Sequence, residues 1–216
     1  MRTHLRDHGI SIAELDALVG WLPGAEPLPW HADLPDEDDF YAMADALGAR
    51  SLNVVDLVEG EPPPIEVAAE ALAALCDRSA AHGLLVSIEF VPWTRIPDLA
   101  TAMRIVELAS RPNGGVMLDT WHLFRSGATT ADVAAAPVDR IVGLQLSDAP
   151  ESERNARVQL QAQRRLLPGE GVIGLPPCRA ARSRIPRRRR SATSSHKRAG
   201  PMVELRWLDD HDAASP

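Results

Sequence analysis

Short apolar runs, each followed by an amphipathic stretch, set the rhythm of this chain. Arg50–Val58, Leu84–Phe90, 116–119 and 141–146 read as buried strands. Between them, Ile65–Ala81 and Asp98–Ser110 repeat apolar residues at helical spacing. Phe40–Leu47 is a further predicted helix. Asp36-Glu-Asp-Asp39 opens it, with acids at the positive end of the dipole, and Gly48 closes it. Leu5–Gly9 looks like the end of a helix, Ile10–Val19 fits a strand or a helix, and Gly20–Asp39 reads as a loop. After Asp119 the pattern predicts a loop, then a weak helix near Thr130–Ala135. Strands alternating with helices at this pitch predict βα units and a parallel sheet.

Three of the strands end in an oxygen-bearing side chain: Val86-Ser-Ile-Glu89, Gly115-Val-Met-Leu-Asp119 and Ile141-Val-Gly-Leu-Gln145. Glu89 and Asp119 are 30 residues apart, and Gln145 follows 26 later, separations that suit one strand, one helix and two loops. In a closed parallel βα barrel the C-terminal strand ends form the active-site rim. A carboxylate buried there is costly unless a charge partner or a metal holds it. Glu89, Asp119 and Gln145 are therefore candidate ligands of a divalent metal. Hard oxygen donors suit Mg²⁺ or Mn²⁺, and an added His widens the choice to Co²⁺ or Zn²⁺. The competing reading is that each side chain caps its strand or pairs with an arginine.

Other residues gather around that rim. His122, three residues past Asp119, is placed to orient a substrate or to move a proton near neutral pH. Trp93 is a pocket wall or a core residue. Asp148 either supports a neighbouring ligand or begins a loop. In Arg165-Leu-Leu-Pro-Gly-Glu-Gly171 the glycines make a tight loop, and Arg165 can clamp an anionic group through two parallel hydrogen bonds.

Composition changes this picture in one place. A chain of 216 residues with 45% hydrophobic and 25% charged residues supports one ordinary core. No apolar run approaches the ~18 residues of a membrane span. Two cysteines, Cys76 and Cys178, make neither a disulfide framework nor a zinc spacing, and the N-terminus lacks the apolar stretch of a signal peptide. A cytoplasmic protein without membrane partners is expected. The net charge of −7, however, conceals a split: residues 179–198 hold eight Arg and Lys197 with no acid. That run lacks apolar periodicity and reads as disordered. Attraction to phosphate makes nucleic acid its weaker interpretation.

Ile88-Glu-Phe-Val-Pro-Trp93, Leu118-Asp-Thr-Trp-His122, Leu144-Gln-Leu-Ser-Asp148 and Arg165–Gly171, in that order, resemble the successive motifs of xylose isomerase-like TIM barrels. These include sugar phosphate isomerases/epimerases, tagatose and psicose epimerases, and 3-dehydroshikimate dehydratases. The resemblance implies a (β/α)8 fold, with Glu89 and Asp119 as metal ligands and Glu89 also a base. Gln145 would stand at a ligand position that many epimerases fill with His, and His122, Trp93 and Arg165 would contact substrate. It further implies a divalent-metal-dependent isomerase or epimerase that acts on a keto-sugar or related polyol through an enediolate. A 3-dehydroshikimate dehydratase-like lyase and a non-catalytic remnant are the alternatives. Self-association is left open. AP endonuclease type 2 barrels are also similar, but they need a richer set of zinc ligands than this sequence offers.

Two departures from the pattern carry expectations of their own. The family's first strand and helix precede the segment that matches from Leu5 onward, so the barrel is expected to lack strand one. Residues 1–176 then form a partial barrel, and 177–216 an irregular Arg/Ser-rich tail, disordered or translated out of frame. Within that tail, Met202-Val-Glu-Leu-Arg206 imitates the family's last strand, which makes Glu204 a fourth but poorly spaced ligand candidate. Resequencing the coding DNA over this stretch tests the frame directly.

Overall fold

A computed structural model describes residues 2–24, 34–154 and 165–174, and the backbone of 203–205. In chain order the elements are α1 (Arg2–Asp7), β1 (Glu14–Leu18), α2 (Glu37–Leu47), β2 (Ser51–Val55), α3 (Ile65–Ala80), β3 (Leu85–Glu89), α4 (Leu99–Ala109), β4 (Gly114–Asp119), α5 (Thr120–Ser126), α6 (Thr130–Ala135), β5 (Ile141–Leu146) and β6 (Val203–Leu205). Strands β1 to β5 lie side by side in sequence order and are all parallel, which is half of a barrel. The ambiguous Ile10–Val19 segment resolves as strand. The predicted loop after Asp119 is instead a helix, α5. Most of the predicted tail, including the cationic run at 179–198, lies outside the described residues. Its one described piece, β6, pairs antiparallel to β5 with Glu204 opposite Gln145.

The outer face of this half-barrel is its apolar core. Leu52, Val54, Val86, Ile88, Val116 and Leu118 pack there with Leu72, Leu75 and Cys76 of α3 and Ala102, Ile105 and Val106 of α4. Full burial of each large side chain contributes roughly 1.5–3 kcal/mol. Burial also pushes the Cys76 thiol up to about 11, so it behaves as a small apolar residue rather than a nucleophile. The inner face is different in kind. The same two-residue period brings Asn53, Ser87, Glu89, Asp119 and Gln145 inward, all buried. A carboxylate-rich barrel interior is paid for in desolvation, which argues that its polar groups serve a purpose beyond packing.

Two inward glycines let the strands approach. A Cβ on Gly115 would come within 2.4 Å of the Arg140 carbonyl oxygen, whereas one on Gly143 would meet the Met117 methyl at 2.5 Å. Backbone cannot step aside, but a methionine tip can. Gly115→Ala is therefore expected to cost about 1–3 kcal/mol and Gly143→Ala less. Thermal melts of the two variants check the order.

The rim is held by a buried ion pair. Arg95, in the loop after β3, donates from Nε and Nη2 to both oxygens of Asp56, after β2, at 3.0 and 2.8 Å. Its remaining donors reach the carbonyls of Pro23 and Leu22, after β1. One guanidinium thus joins three loops that follow strands β1, β2 and β3.

Candidate metal and substrate site

Glu89 ends β3 and Asp119 ends β4, as the spacing predicts, and Gln145 lies directly across from Asp119 on β5. Asp119 also begins α5. Its Oδ1 accepts from the Trp121 and His122 backbone N–H groups at 2.7 and 3.2 Å, which makes it the helix N-cap. Gly127 closes the helix at a φ of 81°. One short helix therefore turns His122 back over the strand tip that precedes it.

The result is a compact cluster. His122 Nε2 lies 3.2 Å from Glu89 Oε1 and 3.9 Å from Asp119 Oδ2. One donor atom from each of the three residues falls within 4.8 Å of the others, and all three residues are buried. Ligands about 2.1 Å from one ion sit roughly 3–4 Å from each other, so these side chains fit a divalent cation. His122, expected to orient substrate or move a proton, has the position and chemistry of a ligand as well. Its other nitrogen, Nδ1, is buried without a hydrogen-bond partner. If Nε2 carries the lone pair that faces the carboxylates and a cation, Nδ1 carries the proton.

A second layer, absent from the sequence reading, orients Glu89. Asn53 on β2 donates from Nδ2 to Glu89 Oε2 at 2.7 Å and to Asp16 Oδ1 at 2.9 Å, while its own Oδ1 accepts from Ser87 at 3.1 Å. This leaves Glu89 Oε1 as the oxygen that faces His122. The available signal was an amide in the middle of a short, mostly apolar strand.

Arg165 reaches the cluster from the far loop. Its Nη1 donates to Asp119 Oδ2 at 2.5 Å and to Ser147 Oγ at 3.1 Å, and Nη2 lies 3.3 Å from His122 Nε2. Asp148 does not reach the ligands in this way; its carboxylate organises the loop that carries Arg165. It accepts from the backbone N–H groups of Ala149, Gly169 and Ile173, each at 2.9 Å. Gly171 has to be glycine here, since a Cβ would sit 2.5 Å from Asp148 Oδ1. Burial opposes ionisation of Asp148, but the backbone donors of Ile173, Gly171, Ala149 and Gly169 outweigh it and hold the carboxyl below its usual range.

A pH prediction follows from that depressed value. The Asp148 contribution to stability is fully present above the unfolded carboxylate pKa of about 4 and is lost as pH falls through the lower folded value. Asp148→Asn is expected to flatten this acid limb, and urea unfolding across acidic pH measures it.

Trp93 is half-buried and forms a side wall. Its ring centroid is 5.7 Å from that of His122 and 6.0 Å from that of Trp121, edge-on to the latter. It packs against a small cluster of Trp121, Phe124 and Ala149.

Known proteins share this architecture. The model of the xylose isomerase-like TIM barrel matches residues 1–182. This chain belongs to that family. An inosose isomerase of Halalkalibacterium halodurans is 28% identical over 106 residues, 48% of this chain and 36% of the relative. A 3-dehydroshikimate dehydratase of Pseudomonas aeruginosa is 28% identical over 124 residues, 57% of this chain and 19% of the relative. The chain thus spans about a third or less of the curated relatives it matches. Among solved structures, the IolI protein with a zinc atom superposes with a TM-score of 0.68 at 24% identity, covering 81% of this chain and 63% of that one. A xylose isomerase domain-containing protein of Salmonella typhimurium gives 0.64 at 21% identity, with 78% and 60% covered. At these identities the structures establish a shared fold. Among the described residues, no helix of this family member is long and apolar enough to cross a membrane.

Proposed function

We propose that this chain carries the metal-binding rim of an isomerase for polyhydroxylated ketones of the inosose or keto-sugar class. The buried Glu89, Asp119 and His122 cluster carries this reading. Glu89, Asp119 and His122 would hold the ion, with Gln145 supplying a neutral oxygen. A bound divalent ion supplies Lewis-acid polarisation of a carbonyl and its neighbouring hydroxyl. Mn²⁺ or Mg²⁺ suits the oxygen donors, and Co²⁺ or Zn²⁺ becomes suitable once the imidazole is counted. Glu204 pairs with Gln145 through the backbone and remains a fourth candidate on that ground alone.

The residues have separate tasks. Glu89, with Oε2 held by Asn53, would use its carboxylate either as a ligand or as the base for the proton next to the carbonyl. Where that proton returns decides between isomer and epimer. Arg165 offers a guanidinium to the oxygen that gains negative charge as the enediolate forms. His122 would either hold the ion through Nε2 or, with that nitrogen unliganded, move a proton between adjacent oxygens. Trp93 excludes water on one side.

The dehydratase reading rests on a specific feature, Gln145 at a position that many epimerases fill with His, and on the Pseudomonas aeruginosa relative. Abstraction of the same proton, followed by departure of a β-hydroxyl as water, gives an alkene in place of an isomer. Parallel assays with an inosose and with 3-dehydroshikimate, each with Mn²⁺, separate the two. The proposal expects Mn²⁺-dependent isomer formation from the inosose. Turnover of 3-dehydroshikimate alone would replace it with the lyase, and turnover of neither with the non-catalytic remnant.

A further inference from the structure

Arg125 belongs to no sequence motif, yet it is the most completely buried charge beside the site. Its exposure is 0%, and Glu153 Oε2 lies 3.6 Å from its Nε. Its guanidinium carbon lies 4.3 Å from the centre of the Trp121 ring and 4.8 Å from that of Trp93. The two indoles stand 81° apart, so Arg125 fills the corner between them. Burial pulls its pKa down, Glu153 opposes that change, and Arg165 adds repulsion.

The repulsion locates the second cation. Arg165 also lies over Trp121, with its guanidinium carbon 4.6 Å from the ring centre. Both guanidiniums therefore rest against the same indole. It is itself fully buried and cannot tilt without displacing Arg125. The polar ends of Arg165 meet Asp119, Ser147 and His122, but these are point contacts on a long side chain. Trp121 offers its guanidinium a flat surface, and attraction between a cation and an aromatic face favours one orientation.

We infer that Trp121, which Arg125 also contacts, is a positioning residue that aims the Arg165 guanidinium at Asp119 and His122. The inference rests on the reading of Arg165 as a substrate contact. Its physical core, the stacking, can be tested without substrate or metal.

The experiment follows the Arg165 Nε–H signal by NMR in isotope-labelled full-length protein, assigned by its loss in Arg165→Lys. In the wild type the ring current of Trp121 shifts this signal upfield, and the stacked guanidinium rotates slowly. Trp121→Leu is expected to abolish the shift and speed the rotation. Trp121→Phe, which keeps an aromatic face, is expected to retain about half of the shift and carries the test if the leucine variant does not fold. Inosose affinity should fall about tenfold or more in Trp121→Leu, with partial rescue in Trp121→Phe, while Mn²⁺ affinity stays within about threefold. An Arg165 signal unchanged in either variant overturns the inference. So does weaker inosose binding with no change in that signal. If the stacking signal responds as expected but no variant or wild-type protein binds an inosose, the positioning stands and the isomerase reading fails.

Discussion

Asp119→Ala is expected to abolish Mn²⁺-dependent turnover and to weaken Mn²⁺ binding by more than about 100-fold. Loss of an outer partner of a metal ligand typically costs about 10–100-fold, and removal of a ligand should exceed that. Asp119 acts at three points at once. Its Oδ2 faces His122 Nε2 and pairs with Arg165, while Oδ1 caps α5. The cap adds a stability loss of about 1 kcal/mol in the alanine variant. Asp119→Asn separates these roles, because an amide oxygen still accepts from the Trp121 and His122 N–H groups but carries no charge for a cation. It should keep most of the helix and lose most of the metal affinity. Calorimetry with Mn²⁺ beside a thermal melt of each variant resolves the two effects. Unchanged affinity in Asp119→Ala would remove Asp119 from the site.

The largest effect on stability is expected from Asp56→Ala. Both partners of the Asp56–Arg95 pair are 3% exposed, and the arginine also holds the loop after β1 through Leu22 and Pro23. Without Asp56 a buried guanidinium loses its counter-charge, which typically costs about 3–5 kcal/mol. For a chain of this size that corresponds to a drop in Tm of roughly 6–20 °C. Removing both partners together, as Asp56→Leu with Arg95→Met, should recover much of the loss, since apolar side chains of similar volume leave no unpaired charge. A double variant as unstable as Asp56→Ala would show that the contacts to Leu22 and Pro23 dominate. By contrast, the exposed Arg104–Glu107 and Arg154–Glu151 pairs should be nearly silent.

Much of this organisation was legible before the structure. Strand ends at Glu89, Asp119 and Gln145 follow from apolar runs of the right length, and the parallel sheet follows from strands alternating with helices. Helix α5 was not legible, for a physical reason. It is only seven residues long and all seven are buried, so the polar residues in Thr120–Ser126 do not mark a solvent face. The signs it did carry were its caps, Asp119 before and Gly127 after. Asp119 was read only as the end of a strand, although the same carboxylate starts the helix.

The supporting residues were hidden for other reasons. Asn53 owes its role to a neighbour 36 residues away, Glu89, and pattern within one strand does not reveal the partner. Arg125 looks like any surface arginine until the fold buries it between two indoles. Asp148 was recognised as a supporting residue, but what it supports is the Arg165 loop rather than a ligand. The place of His122 beside Glu89 and Asp119 likewise depends on α5 turning it inward.

That cluster is the centre of the account, and titration of the full chain with Mn²⁺, in parallel with Glu89→Gln, tests it most directly. The wild type is expected to bind one Mn²⁺ per chain in a saturable step, and Glu89→Gln to lose most of that affinity without unfolding. Wild-type protein that binds no Mn²⁺, or binding that survives intact in Glu89→Gln, would contradict a metal site at Glu89, Asp119 and His122.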